Sequence, residues 1–388
     1  MKRRPIVLSV NASWNIVNFR KELIAGLQGR GFDVVALAPE DGHTAQLDEL
    51  GVPFRPIRID SQSVSPLGDA RLIAAYDAAL REIGPALFLG YTIKPNIYGS
   101  LAAQRLGIPT INNVSGLGTA FIRGGLLGRI VTLLYRIAFR RSATVFFQNE
   151  EDLALFSDRK IVRSEQARLL PGSGIDIDYF RPRPRPDDTA FTFLFVGRLL
   201  WDKGIAEYVD AARAVRAIHP DVRFRMLGIV DAPNRTAVAR AQVYDWETEG
   251  LIDYLPPRDD VRPFIAAADC IVLPSYREGL PRTLLEGAAM AKPLIATDVP
   301  GCRSVVTHGA NGLLCRVRDA AALANAMEQM LAMPAEERAA MGAQGRARVA
   351  AEFGHHIVVD RYLEAVDAAL AKVTPARATP SIASKGSL

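Results

Sequence analysis

Short apolar runs rich in β-branched and aromatic residues alternate with amphipathic stretches through most of the chain. Positions 6–10 read as a strand, and the spacing of apolar residues predicts a helix over 17–30. The pattern continues as strand 33–38, helix 44–50, strand 54–57 and helix 67–83. Strand 86–89, helix 96–106, strand 110–114, helix 126–141 and strand 143–148 follow. Strands alternating with helices indicate βαβ units around a parallel sheet.

The segment Arg181-Pro-Arg-Pro-Arg-Pro-Asp-Asp interrupts this rhythm, because its three prolines preclude both a helix and a central strand. The alternation then restarts with strand 191–196, helix 205–218, strand 222–227, helix 235–249 and strands 252–255, 270–273 and 294–297. Helices fill most of 320–370, and the small, polar stretch 374–388 is expected to be disordered. The expected organisation is an α/β chain of two doubly wound Rossmann-like domains facing a central cleft. Residues 1–180 form the first domain, 181–188 the linker and 189–353 the second domain. A helix over 354–372 packs back on the first domain, and 373–388 is a tail. The cleft between domains is the default ligand site.

Composition narrows the class. A chain of 388 residues with 49% hydrophobic content suits two folded domains and excludes a disordered chain. The net charge of +5 does not by itself call for a nucleic-acid partner, and none is expected. Cys270, Cys302 and Cys315 lie far apart with no Cys-x-x-Cys spacing, which points away from disulfides and zinc and toward a reducing compartment. The basic start is followed by too short an apolar run for a signal peptide, and no stretch reads as membrane-spanning. The expected location is cytoplasmic. His43, His219, His308, His355 and His356 show no metal spacing.

Two motifs carry chemistry. In Phe195-Val-Gly-Arg-Leu-Leu-Trp-Asp-Lys-Gly204 an apolar strand runs into a glycine-bounded loop that opens a helix. Gly197 lets backbone approach a ligand, while Arg198 and Lys203 set two cations beside a helix N-terminus, a combination suited to a diphosphate. Two solvated charges in a surface turn would give the same local pattern. In Leu273-Pro-Ser-Tyr-Arg-Glu-Gly-Leu-Pro-Arg-Thr-Leu-Leu-Glu286, Glu278 lies in the loop after a strand and Glu286 inside the following helix. Gly279, Leu280 and Pro281 are expected to begin that helix, whose free N–H groups can hold phosphate or sugar oxygens. One carboxylate can take a ribose diol and the other a donor sugar, although two acids on a helix also occur without any ligand.

Together, Gly197-Arg198, Lys203 and the Glu278/Glu286 pair resemble the retaining glycosyltransferases of family 4, which have the GT-B fold. Ala296-Thr-Asp-Val-Pro-Gly301 and Asn311-Gly312 extend the likeness. Tyr91-Thr-Ile-Lys-Pro-Asn96 and Asn112-Asn-Val-Ser-Gly-Leu-Gly-Thr119 resemble a bacterial subgroup acting on undecaprenyl-diphosphate-linked sugars, which includes PglA-like N-acetylgalactosaminyltransferases. The resemblance implies a UDP-sugar donor, a lipid-diphosphate-linked sugar acceptor and no required metal or other cofactor. It implies that Arg198 and Lys203 bind the diphosphate, Glu286 the ribose and Glu278 the donor sugar. The catalytic set it implies is Glu278, Arg198 and Lys203. Gly197, Gly279, Leu280, Pro281 and Glu286 are expected to complete the donor site. Many family members have His where this chain has Ser115, so that histidine's role does not carry over.

Asp176-Ile-Asp178 has the spacing of a metal-holding acid pair but sits just before the proline linker, away from any diphosphate loop, so no metal site is expected. Between Glu82 and Glu150 there is no acid, while Lys94, Arg105, Arg123, Arg129, Arg136, Arg140 and Arg141 are present. The basic, apolar helix in this stretch is expected to lie on an anionic membrane through Arg129, Arg136, Arg140 and Arg141. Leu126, Leu127 and Phe139 are expected to insert, with Ile130, Leu134 and Ile137 toward the sheet. The rival functions are an epimerase of the same architecture acting on UDP-N-acetylhexosamine, and a non-catalytic nucleotide-sugar-binding protein at a membrane surface.

Overall fold

The computed structural model describes residues 4–60, 65–117, 125–185, 190–232 and 234–372. Gly118, Thr119, Arg123, linker residues 186–188 and the 373–388 tail lie outside the described residues, as do the side chains of Leu126 and Leu127.

The chain builds two parallel sheets. The first contains β1 (Ile6–Ser9), β2 (Val34–Ala38), β3 (Phe54–Pro56), β4 (Leu87–Tyr91), β5 (Thr110–Val114), β6 (Thr144–Phe147) and β7 (Ala167–Leu169). Its order is β3-β2-β1-β4-β5-β6-β7. The second contains β8 (Thr192–Val196), β9 (Arg223–Leu227), β10 (Asp253–Leu255), β11 (Cys270–Leu273), β12 (Leu294–Thr297) and β13 (Gly312–Cys315), in the order β10-β9-β8-β11-β12-β13. Every paired strand runs parallel. Central strands such as Ile6–Ser9 and Cys270–Leu273 are buried at every position, so their residues read as near-continuous apolar runs, with Ser9 satisfied by the Leu37 carbonyl. Each sheet reverses its winding once, between β1 and β4 and between β8 and β11. Ligands of doubly wound sheets bind outside the carboxyl ends of the strands at such a reversal.

The last helix, His355–Ala371, packs on the first sheet. Val358, Tyr362 and Val366 share a core with Ile6, Leu8 and Leu89, and Tyr362 lies 4.8 Å from Phe146, ring centre to ring centre. The chain returns to the first sheet beside its own exit from it. Ile175 N–H donates to the Phe353 carbonyl at 2.9 Å, and His355 N–H donates to the Ile175 carbonyl at 3.1 Å.

Several elements differ from the expectation. The first helix is two, Ser13–Phe19 and Lys21–Gly29, broken at Arg20, whose ψ of 3° leaves the helical region. The stretch beginning at Pro95 forms a single π-helical turn, Pro95–Gly99, before Ser100–Arg105. Pro281 is the N-cap of the helix Arg282–Ala289, so Gly279 and Leu280 precede that helix instead of starting it. The helix Glu150–Asp158 and strands β7 and β13 are additional to the expected elements, being short or weakly periodic.

The helix Gly125–Phe139 turns a different face to the sheet than expected. Phe139 is fully buried and cannot insert into a membrane, whereas Ile130, Leu133 and Ile137 are 47%, 53% and 48% exposed. Only Leu134 of the three residues expected to face inward packs on the core. Arg136 donates to the carbonyls of Arg159 and Lys160, at 2.7 and 3.1 Å, and so caps the end of the Glu150–Asp158 helix.

Candidate functional site

The two motifs come from the two strands that flank the winding reversal of the second sheet. β8 ends at Val196, and its pairing continues through Gly197 N–H, which donates to the Leu227 carbonyl at 2.9 Å. A Cβ on neighbouring Gly228 would sit 1.7 Å from the Gly197 carbonyl oxygen, so only glycine allows this approach. The chain then makes a short 3-10 turn, Trp201–Lys203, and reaches Gly204. Gly204 has φ +74°, and a Cβ there would lie 2.1 Å from the Pro274 carbonyl oxygen. Tyr276 N–H donates to the Asp202 carbonyl at 2.9 Å, tying the loop after β11 to the loop after β8.

This binding of loop to loop brings together residues that lie 75 positions apart. The Lys203 ammonium pairs with Oε1 of Glu278, and both side chains are largely buried. The same Oε1 accepts from the buried Ser275 hydroxyl at 2.7 Å. Arg198 is exposed and has no hydrogen-bond or ion-pair partner among the described residues. Thr283 Oγ1 donates to the Val196 carbonyl at 3.0 Å, docking the Arg282–Ala289 helix against the end of β8. Lys203 and Glu278 therefore meet at this edge, and Arg198 lies on the same loop as Lys203.

Glu286 lies one helix turn beyond Arg282, and Arg282 Nε donates to its Oε1 at 2.8 Å. Burial pushes the Glu286 carboxyl above the usual range, with the guanidinium opposing that shift. Arg282 also reaches Ser173 Oγ at 3.5 Å and stacks 4.9 Å from the Phe19 ring, so it links the second domain to the first. The i,i+4 spacing of Arg282 and Glu286 was legible in the sequence; the pairing of Lys203 with Glu278 was not.

The Glu278–Gly279 loop faces the first domain at close quarters. A Cβ on Gly279 would meet the Ser115 carbonyl oxygen at 2.3 Å, and one on Gly301 would meet the Gly279 carbonyl oxygen at 2.4 Å. Leu280 packs on Gly172, where a Cβ would lie 2.6 Å from the leucine. Asn149 caps the helix Glu150–Asp158 through Asp152 N–H at 2.8 Å, and its amide donates to the Gly279 carbonyl at 2.8 Å. Two ion pairs flank that contact, Arg277 with Asp152 and Arg303 with Glu151. Ser275, Arg277, Arg282 and Asn149, to which the sequence pattern gives no role, thus support the site together with Gly301 of the Ala296–Gly301 motif.

The asparagine motifs of the first sheet hold one another. Asn112 Nδ2 donates to Asn96 Oδ1 at 3.1 Å and to Ser100 Oγ at 2.7 Å, while Asn96 Nδ2 donates to the Asn113 carbonyl at 2.8 Å. Lys94 pairs with Asp69 at 2.8 Å, and Tyr98 donates to the same carboxylate at 2.6 Å. Asp176 is spent on a turn, accepting from Asp178 N–H at 3.0 Å and Tyr179 N–H at 2.9 Å. No cluster of three metal-ligating side chains occurs among the described residues.

Comparison with known proteins places this geometry in a family. Residues 176–348 match the model of the glycosyl transferases group 1, and residues 16–173 match a glycosyl transferase 4-like domain. A curated relative from Campylobacter jejuni is N,N'-diacetylbacillosaminyl-diphospho-undecaprenol alpha-1,3-N-acetylgalactosaminyltransferase. It is 24% identical over 381 residues, covering 94% of this chain and 98% of the relative. The D-inositol 3-phosphate glycosyltransferase of Thermobispora bispora is 30% identical over 306 residues, covering 71% of this chain and 68% of the relative. Among solved structures, Anabaena HepE in complex with UDP-glucose superposes with a TM-score of 0.77 at 19% identity, over 94% of this chain and 99% of that one. The chain belongs to the group 1, family-4-like glycosyltransferases and has their GT-B fold.

Proposed function

We propose that the protein is a retaining glycosyltransferase that moves a sugar, N-acetylhexosamine or hexose, from a UDP-sugar to an undecaprenyl-diphosphate-linked saccharide. The observation that carries the proposal is the meeting of Lys203 with Glu278 at the winding reversal of the second sheet, opposite Ser115 and Asn149 of the first domain, with the exposed Arg198 on the same β8 loop. The Campylobacter relative, named for a lipid-diphosphate-linked acceptor, and the UDP-glucose held by HepE support the choice of substrates.

Chemistry follows from the charges. The donor diphosphate binds at the β8 loop, and Lys203 exchanges its Glu278 partner for phosphate oxygen. Glu278, still held by Ser275, is then free to accept hydrogen bonds from donor-sugar hydroxyls. As the glycosidic bond breaks, negative charge grows on the leaving diphosphate, where Arg198 and Lys203 stabilise it. The acceptor hydroxyl attacks from the face the diphosphate leaves, and its proton passes to a diphosphate oxygen, so configuration is retained without a carboxylate nucleophile. Glu286, kept oriented by Arg282, takes the ribose diol. No step calls for a metal ion.

The acceptor's lipid sets the location, the cytoplasmic face of the plasma membrane. Arg129, Arg140 and Arg141 are exposed around the Ile130, Leu133 and Ile137 stripe, which suits shallow insertion into an anionic bilayer. No described helix is long and apolar enough to cross a membrane.

The test is UDP release by purified protein with and without lipid-linked acceptor, followed by NMR of the product's new anomeric centre. Acceptor-dependent release with an α-linkage from an α-configured donor is expected. Inverted configuration removes the retaining mechanism, and release without product removes the transfer.

A further inference from the structure

Arg20 occupies the break between the first two helices, where its N–H closes the first on the Ile16 carbonyl at 3.0 Å. It is only 4% exposed. Its guanidinium lies over the Tyr91 ring at 4.1 Å, and its Nε is buried without a hydrogen-bond acceptor. No carboxylate pairs with it among the described residues. A buried cation without a counter-charge is strongly unfavourable, a cost that an incoming anion would relieve. Its charge acts instead on the phenols of Tyr91 and Tyr362, both held above the usual tyrosine range by burial.

Position gives this cation a use. Tyr91 is the last residue of β4, so Arg20 stands at the winding reversal of the first sheet, where a ligand crevice is expected. The neighbouring Phe19 lies against Arg282, which holds Glu286, so the crevice adjoins the donor side of the cleft. Arg198 and Lys203 stand at the matching reversal of the other sheet.

We propose that Arg20 is an anion-binding residue of the first domain that takes phosphoryl oxygens of a substrate in a forked, two-point hydrogen bond. The choice of phosphate over carboxylate rests on the proposed reaction, in which both donor and acceptor carry a diphosphate. The phosphate comes from one of those two sources, and separate titrations tell them apart.

The experiment is calorimetric titration of wild type, R20M and R20K with UDP, and of the UDP-saturated proteins with inorganic pyrophosphate. Loss of tenfold or more in pyrophosphate affinity, with UDP binding intact, assigns Arg20 to the acceptor phosphate. The same loss for UDP alone assigns it to the donor. R20K keeps the stem and charge over Tyr91 but lacks the fork, so it carries the test if R20M does not fold. Wild-type affinity for both ligands in R20K, or in a folded R20M, overturns the proposal. Neither titration needs turnover. Absence of lipid-linked transfer in the wild type would therefore sink the proposed function while leaving the anion site to stand or fall by itself.

Discussion

Replacing Gly279 by alanine tests whether the contact between domains positions the chemistry. The added methyl would lie 2.3 Å from the Ser115 carbonyl oxygen, against the 3.4 Å or more of an ordinary contact. One side must therefore retreat by about 1 Å. Ser115 follows β5 directly, and the Gly279 carbonyl is fixed by Asn149, so neither backbone yields cheaply. The cheaper relief is a slight opening of the cleft, which moves Glu278 away from the first domain. A displacement of about 1 Å in a positioned reacting group costs on the order of a hundredfold in rate, or about 3 kcal/mol. Gly279→Ala should therefore lower turnover about a hundredfold while UDP affinity changes little, because Arg198 and Lys203 move with their own domain. Acceptor-dependent UDP release gives the first quantity, and calorimetry the second. Thermal melting by circular dichroism should stay within a few degrees of wild type. Turnover within threefold of wild type would show that the Ser115–Gly279 approach does not position the reaction.

Arg198→Ala and Lys203→Ala should each cost about 2–4 kcal/mol in kcat/KM, the first with little loss of melting temperature and the second with a lowered one because it strands the Glu278 carboxylate, and near-normal turnover in either removes the diphosphate assignment. Glu286 makes pH predictions of opposite sign. Because burial raises its folded-state pKa, its contribution favours the folded state at acid pH and is lost as pH rises from the ordinary glutamate value through the raised one. UDP binding, which needs the carboxylate, should instead weaken on acidification at a pH above the ordinary glutamate range. Glu286→Gln should flatten that binding profile, and an unchanged profile assigns the titration elsewhere. Ile130, Leu133 and Ile137 changed together to serine should abolish the salt-resistant part of co-sedimentation with anionic vesicles. Reversal of Arg129, Arg140 and Arg141 to glutamate should weaken the salt-sensitive part by about tenfold or more; wild-type sedimentation by both variants removes the membrane surface from this helix. Activity should persist in excess EDTA, since two cations are available for the diphosphate, and loss reversed by Mg2+ or Mn2+ would reinstate a metal.

What the sequence alone determined was local or periodic. Continuous apolar runs at Ile6, Val7 and Leu8 and at Cys270–Leu273 identified buried parallel strands, because a strand covered on both faces has no polar side to show. Gly197, Gly204 and Glu278 were legible because a tight strand-to-helix loop and its acid leave their marks within a few residues. The helix break at Arg20 and the π turn at Pro95–Gly99 were not, since each depends on what packs against it. The same holds for the helix Gly125–Phe139, whose apolar residues occupy more than one face. Periodicity cannot tell which face meets the sheet, and the structure buried Phe139 and left Ile130 and Ile137 outside. Only the tertiary structure paired Lys203 with Glu278, set Ser115 against Gly279 and left Arg20 buried without a counter-charge among the described residues. Those relations join residues from different strands and domains, and they exist only once the winding order has brought the strand ends together.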